Sequence, residues 1–313
     1  MAILSASRRT DIPTYYGEWF VNRLKEGYFM TRNPYNSKVS KISFGRSDVD
    51  CIVLWTKNPI PFIKYLDDIK NYPYYFQFTV TGYGKDMEKN LPEKRLLIDV
   101  FKELYNKGNG HIIWRYDPIV FTDKYTPEWH LSAFEAIARE LCGYTEKCVI
   151  SLVDIYPQTA VNMDLCSPLN QLQINLNVFA RRLADIARKY GMTVATCGEK
   201  IDFDFCGIKH NKCIDDEYIS KITGKEFHID KDKGQRETCG CVESVEVGTY
   251  STCRNGCRYC YANKDMSLVN TCIYRYDPQS PLLCDTLKNG EVFTERRLHS
   301  LYKEPELEQL TLF

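Results

Sequence analysis

The first 200 residues alternate between short apolar runs and longer amphipathic stretches. The runs fall at 3–11 (ILSASRRTD), 51–59 (CIVLWTKNP), 74–84 (YYFQFTVTGYG), 111–118, 148–157 and 192–200. Each is apolar and β-rich and ends in polar residues, which predicts strands. Between them, apolar residues recur at three-to-four spacing over roughly 15–26, 60–70, 92–107, 127–142 and 169–190, which predicts helices. The stretch TPEWHLSAFEAIARELCG carries its own boundaries: Thr126 to cap, Pro127 for the first turn and Gly143 beyond the end. Strands alternating with helices imply parallel strands joined by right-handed crossovers. Apolar runs with little alternation imply strands covered on both faces. The fold class predicted is α/β: a parallel (β/α) barrel, full or partial, over residues 1–200.

Beyond Glu199 the pattern breaks. Residues 201–243 form a charged, cysteine-rich segment without periodicity, read as irregular and tied by metal. A seventh strand is predicted near 244–250, leading into a cysteine loop within 244–290, and 291–313 reads as a tail or final helix. In a closed or nearly closed barrel the seventh strand would lie beside strand 3–7. Chain order would then be permuted while spatial order is kept.

In such barrels the C-terminal ends of the strands carry the active site. Arg8, Arg9, Asp11, Thr56, Lys57, Asn58, Arg115, Tyr116, Asp117, Asp154, Tyr156, Cys197 and Glu199 all fall at those ends. Arginine forks match carboxylate and phosphate. Arg8, Arg9 and Arg115 are therefore candidates to hold a cofactor carboxylate or a substrate anion, with internal pairing to Asp11 and Asp117 as the other reading; Lys57 and Asp154 are further candidates on the same substrate-holding face. Glu199 could hydrogen-bond a ribose or amino group. The five histidines form no close pair, and TGYGKD matches no phosphate-loop spacing.

Forty-one basic and 41 acidic residues cancel, so whole-chain charge gives no argument for a nucleic-acid or lipid partner. No apolar run approaches the length of a membrane span, and the N-terminus lacks a signal-peptide core, so a cytoplasmic protein is expected. Fourteen cysteines are too many to be disulfides in a reducing compartment. Cys51, Cys142, Cys148 and Cys166 stand alone and read as small core residues. The rest are dense after Cys197, which points to metal.

The densest stretch is STCRNGCRYCYANKD, 251–265, with Cys253-x3-Cys257-x2-Cys260 and Tyr259 before the last cysteine. Three thiolates can hold a [4Fe-4S] cluster with one iron left open. This spacing resembles that of the radical S-adenosylmethionine superfamily. The resemblance implies S-adenosylmethionine on the open iron, Tyr259 near its adenine, and hydrogen abstraction from an unknown substrate. It also implies an electron donor such as flavodoxin or ferredoxin. SASRRTDIP, WTKNP, FQFTVTGY, WRYDP and QRETCGCVESVEVGTYSTCRNGCRYCYAN resemble the domain of unknown function 1848 family over nearly the whole chain. That family is noted for a C-terminal cysteine cluster similar to the radical one.

A possible second [4Fe-4S] cluster would draw on Cys197, Cys213, Cys239 and Cys241. The competing expectation is a non-catalytic iron–sulfur or zinc protein. Zinc would use pairs such as Cys257-x2-Cys260 and Cys239-x-Cys241. The last residues, QLTLF, resemble the peptide by which bacterial repair and replication proteins dock on the sliding clamp, which would make Gln309–Phe313 a partner site near DNA.

Overall fold

A computed structural model of the chain describes residues 2–164, 168–169 and 174–302. Its strands are β1 (Ile3–Ala6), β2 (Tyr28–Arg32), β3 (Val39–Ser43), β4 (Cys51–Thr56), β5 (Tyr74–Thr79), β6 (Ile112–Ile119), β7 (Lys147–Leu152), β8 (Thr193–Thr196), β9 (Lys209–His210), β10 (Val245–Glu246) and β11 (Phe293–Arg297). Its α-helices are α1 (Ile12–Tyr15), α2 (Gly17–Glu26), α3 (Leu66–Ile69), α4 (Lys94–Lys107), α5 (Pro127–Leu141), α6 (Pro157–Asp164), α7 (Leu176–Lys189), α8 (Asp216–Thr223) and α9 (Met266–Ile273).

Eight strands form one parallel sheet in the order β10-β1-β4-β5-β6-β7-β8-β9, a mixed α/β fold of barrel-like topology. All six predicted runs supply strands of this sheet. The predicted seventh strand is short and pairs parallel to β1, Leu4 opposite Val245 and Ser5 opposite Glu246. Gly248, just beyond, passes so close to β1 that a Cβ there would lie 1.9 Å from the Ser7 hydroxyl.

Period-two alternation along these strands serves two cores. Leu4, Ile52, Leu54, Phe76, Phe78, Ile112, Trp114 and Ile150 pack against the helices, including Phe101 of α4, Phe134 of α5 and Leu183 of α7. Trp114 stacks on Phe134 at 4.7 Å and donates its indole N–H to the Val80 carbonyl at 2.9 Å. Their alternates, Ile3, Val53, Tyr75, Ile113 and Val149, pack against Cys213, Ile214, Ile219, Phe227, Cys241 and Val242. The segment after Glu199 therefore covers the second face of the sheet. It is held there by oxygen and nitrogen contacts: the Cys213 carbonyl accepts from the Tyr75 hydroxyl at 2.7 Å and from Gln77 Nε2 at 2.8 Å.

Three expectations are corrected, and one hairpin was not anticipated. The stretch 60–70, expected as one helix, is a 3-10 turn over Ile60–Tyr65 followed by the short α3. The segment read as irregular contains α8, capped by Asp215, whose side chain accepts from the backbone of Glu217 and Tyr218. Residues 293–297, read as tail or helix, form strand β11, parallel to β3. The hairpin β2–β3 was not anticipated, because its polar strands lack a clean apolar run; with β11 it makes a second, three-stranded sheet. Cys166 lies outside the described residues. Among the described residues no helix is long and apolar enough to cross a membrane.

Replacing Gly248 by alanine should force β10 away from Ser7. The expected outcome is a loss of about 1–3 kcal/mol in urea unfolding, the usual cost of overpacking.

Candidate functional site

The C-terminal ends of β1, β4, β5, β6, β7 and β8 open into one cavity of about 950 Å³. Loops after β10 and the face of the small sheet that carries Thr31, Ser40 and Arg296 complete its walls. The cavity is floored by the second face of the main sheet, where Gln77 and Arg115 follow Tyr75 and Ile113 at period two.

Arg115 is buried and shared. Its Nε and Nη2 donate to Asp117 Oδ2, and its Nη1 donates to Gln77 Oε1 at 3.3 Å and to Cys213 Sγ at 3.0 Å. The guanidinium lies over the Trp55 ring at 5.0 Å. Burial opposes its charge, but the nearby Cys213 and Asp117 outweigh that and hold it protonated. Ser151 donates its hydroxyl to the other Asp117 oxygen. Arg8 pairs with Glu246 at 3.2 Å, and Ser5 and Ser7 donate to the same carboxylate. Lys57 pairs with the buried Glu88 at 3.0 Å. Asp154 pairs with Arg236 at the exposed rim. Five of the candidates, Arg8, Lys57, Arg115, Asp117 and Asp154, are thus in internal ion pairs, and Arg115–Asp117 is the pair whose two members were both anticipated.

Asp11 is buried and accepts from Thr14 N at 3.1 Å, Thr56 Oγ1 at 2.8 Å, Lys57 N at 2.9 Å and Asn255 Nδ2 at 3.0 Å. Burial pushes its carboxyl up, against these four bonds. It ties the ends of β1 and β4 to the cysteine loop. Glu199 accepts from Leu152 N at 2.6 Å, and burial, with Asp154 and Asp117 nearby, raises it to about 7.

Cys213, Cys197, Cys241 and Cys239 lie together at the same mouth. Cys213 Sγ is 3.3 Å from Cys197 Sγ, and Asn211 Nδ2 donates to it at 3.2 Å. Hydrogen bonding with Cys197 and Cys241, together with Arg115, lowers the Cys213 thiol well below its usual range despite burial. Cys197 is raised in turn, first by its bond to Cys213. Cys239, partly exposed, is lowered to about 6, chiefly by its hydrogen bond from Cys241. Cys197 and Cys213 are the pair whose sulfurs are in direct contact.

This arrangement overturns the metal expectations. Among the described residues no group of three or more His, Cys, Asp or Glu side chains is placed to hold a metal ion. Thiolates sharing one tetrahedral zinc sit roughly 3.8 Å apart, from the usual Zn–S length; the 3.3 Å between Cys197 and Cys213 is a direct hydrogen-bonded contact instead. Cys257 packs with Tyr83, Met87, Val120 and Tyr259, with Cys260 at the edge of that cluster. Burial raises Cys253, Cys257 and Cys260. The first [4Fe-4S] cluster, the second one, S-adenosylmethionine on an open iron and the radical enzyme built on them are all corrected. So is the non-catalytic iron–sulfur or zinc alternative. The likeness to the radical S-adenosylmethionine superfamily is one of spacing alone.

Polar contacts hold the cysteine loop. Tyr15 donates to Asn255 Oδ1 at 2.7 Å, Tyr16 to the Thr252 carbonyl at 2.6 Å and Asn90 Nδ2 to the Arg254 carbonyl at 2.7 Å. Tyr259, expected against adenine, donates its hydroxyl to Glu88 and faces the Lys57 ammonium, 5.3 Å from its ring centre. Glu88 also accepts from Lys94 and from Thr81 at 3.0 Å. Burial would raise this carboxyl, but Lys57 and Lys94 outweigh it and lower it to about 2.

Sequence reasoning missed Glu246, Glu88, Gln77, Asn211 and Arg236. Gln77 and Glu246 were findable, each being a polar residue at a period-two position in an apolar strand. Glu88, Asn211 and Arg236 lie outside the named strands and helices, where no periodicity announces them. Gln309–Phe313, the expected clamp peptide, lie outside the described residues.

The molecule is thus a parallel-sheet α/β protein with a polar, thiol-lined cavity at the C-terminal ends of its strands. The chain belongs to the DUF1848 family, a domain of unknown function, whose profile matches residues 3–262. No curated protein matches it.

Glu88→Gln removes the partner of two lysines. The expected loss is about 3 kcal/mol or more, as for breaking a buried ion pair. Because the folded carboxyl is depressed, its contribution is present above the unfolded value near 4.5 and is lost as pH falls toward 2. Urea titrations between pH 6 and 2.5 should show the wild-type chain losing that margin and the variant lacking it. Glu199, raised to about 7, has the opposite sign: its share of stability is present below pH 4.5 and is lost as pH rises through 7. Glu199→Gln should flatten stability over that range.

Proposed function

We propose that the mouth binds a small organic molecule carrying an anionic group. Arg8, Lys57, Arg115 and Arg236 are each neutralised by a carboxylate. The observation that carries the reading is what remains. Among the described residues, Arg9, Lys38 and Arg296 line the same cavity and have no carboxylate partner. Arg9 is braced on the Tyr250 ring at 5.1 Å, which fixes its direction without neutralising it. Lys38 and Arg296 approach from the small sheet. A ligand carboxylate or phosphate would find three cations around it and aromatic surface from Trp55, Tyr250 and Tyr261 beside it. Arg8, Asp11, Lys57, Arg115, Asp117 and Asp154 would then shape and support the cavity while Arg9 contacts the ligand.

The same reading takes the sheet as a barrel whose spatial order is kept although the strand bearing the cysteine loop comes last. The pairing of β10 with β1 supports it. The anion rather than the barrel is the testable part.

Calorimetric titration of the full chain with citrate and with adenosine monophosphate should give binding by at least one of them. Affinity should weaken with rising salt, and Arg9→Ala should weaken it ten-fold or more, about 1.4 kcal/mol. Binding of neither probe, or binding indifferent to Arg9→Ala, would overturn the proposal.

A further inference from the structure

The sulfur pair at the floor of the mouth does something an anion site does not require. We infer that Cys197 and Cys213 form a dithiol pair that reduces small disulfides by thiol–disulfide exchange. The geometry assigns the two roles. Cys197, just past the end of β8, is the partly exposed residue of the pair, and Cys213 is buried. Their contact at 3.3 Å allows a proton to pass directly between them. Arg115 Nη1 at 3.0 Å and Asn211 Nδ2 at 3.2 Å both aim N–H donors at Cys213 Sγ. A sulfur that receives a guanidinium and an amide is built to carry negative charge. Structural cysteines elsewhere in the chain differ: Cys51 and Cys148 sit in apolar packing and bond only to backbone carbonyls.

The reaction balances without a further redox partner. The Cys197 proton passes to the Cys213 thiolate, and the Cys197 thiolate attacks one sulfur of a disulfide R–S–S–R. The substrate S–S bond breaks, Cys197–S–S–R forms, and the first R–S⁻ leaves, taking the proton from Cys213. The restored Cys213 thiolate attacks the Cys197 sulfur, closing the Cys197–Cys213 disulfide and releasing the second R–S⁻. Two protein sulfurs are oxidised by two electrons, and the substrate disulfide is reduced to two thiols. A low-molecular-weight thiol reverses the sequence and resets the pair. Cys239 and Cys241 line the same mouth but are not needed for the balance.

This activity shares the mouth with the anion site yet needs only access to Cys197. The test therefore uses an uncharged probe, 2-hydroxyethyl disulfide, so that failure of anion binding leaves it unaffected. The reduced full chain, freed of reductant, is mixed with the probe and mapped by mass spectrometry without reduction. The expected product is a Cys197–Cys213 linked peptide. Cys197 should be consumed at least ten-fold faster than Cys142, an exposed cysteine that serves as internal standard. Cys213→Ser should accumulate the hydroxyethyl adduct on Cys197, and Cys197→Ser should yield no link. Absence of the link in the native chain, with Cys142 modified as fast as Cys197, overturns the inference whether or not either variant folds.

Discussion

One buried positive charge organises the floor of the mouth. A guanidinium cannot leave water without anionic or strongly accepting partners. Arg115 finds them on three elements at once: Asp117 on its own strand, Gln77 on the neighbouring strand and Cys213 on the segment that covers the sheet. The strand alternation that points Arg115 to this face also points Gln77 and Ser151 there. The covering segment is held by the same residues that meet the charge, since Gln77 binds both the guanidinium and the Cys213 carbonyl. Sheet, cover and thiol are in this sense one construction.

A second buried charge does the same for the other wall. Glu88 draws Lys57 from the end of β4, Lys94 from α4 and Tyr259 from the cysteine loop to one point. Asp11 adds Thr56 and Asn255 from the same two regions. The loop with three cysteines is thereby held against the barrel-like core by carboxylates. Cys257 and Cys260 are left to pack with Tyr83 and Met87.

The sheet was legible because its strands are buried on both faces, and that leaves continuous apolar runs such as CIVLW and YYFQF. The long helices α4, α5 and α7 were legible, α5 from Thr126–Pro127 and α4 and α7 from their three-to-four spacing. The small sheet was not: β2, β3 and β11 read YFMTR, VSKIS and FTERR, too polar for a run, and the pairing of β11 with β3 joins residues more than 250 positions apart. Most of the polar strand ends line one cavity, while Tyr116 packs in the helix-facing core. Their partners did not follow from the pattern, because an acid such as Glu88 or Glu246 is chosen by three-dimensional proximity and leaves no periodic trace. The cysteines misled for a related reason. Spacing along the chain shows that three sulfurs can approach one another, but it does not show whether desolvation keeps them as thiols.

The small sheet has a bearing on how the family's shared region stands by itself. The matched span closes at residue 262, while β11 supplies the outer neighbour of β3 from residues 293–297. A polypeptide ended at the family boundary would leave one side of β3 with its row of amide and carbonyl groups unmatched, and an open strand flank of that kind invites self-association. The cover over the cavity is thus a joint product of two parts of the chain, only one of which the family profile spans.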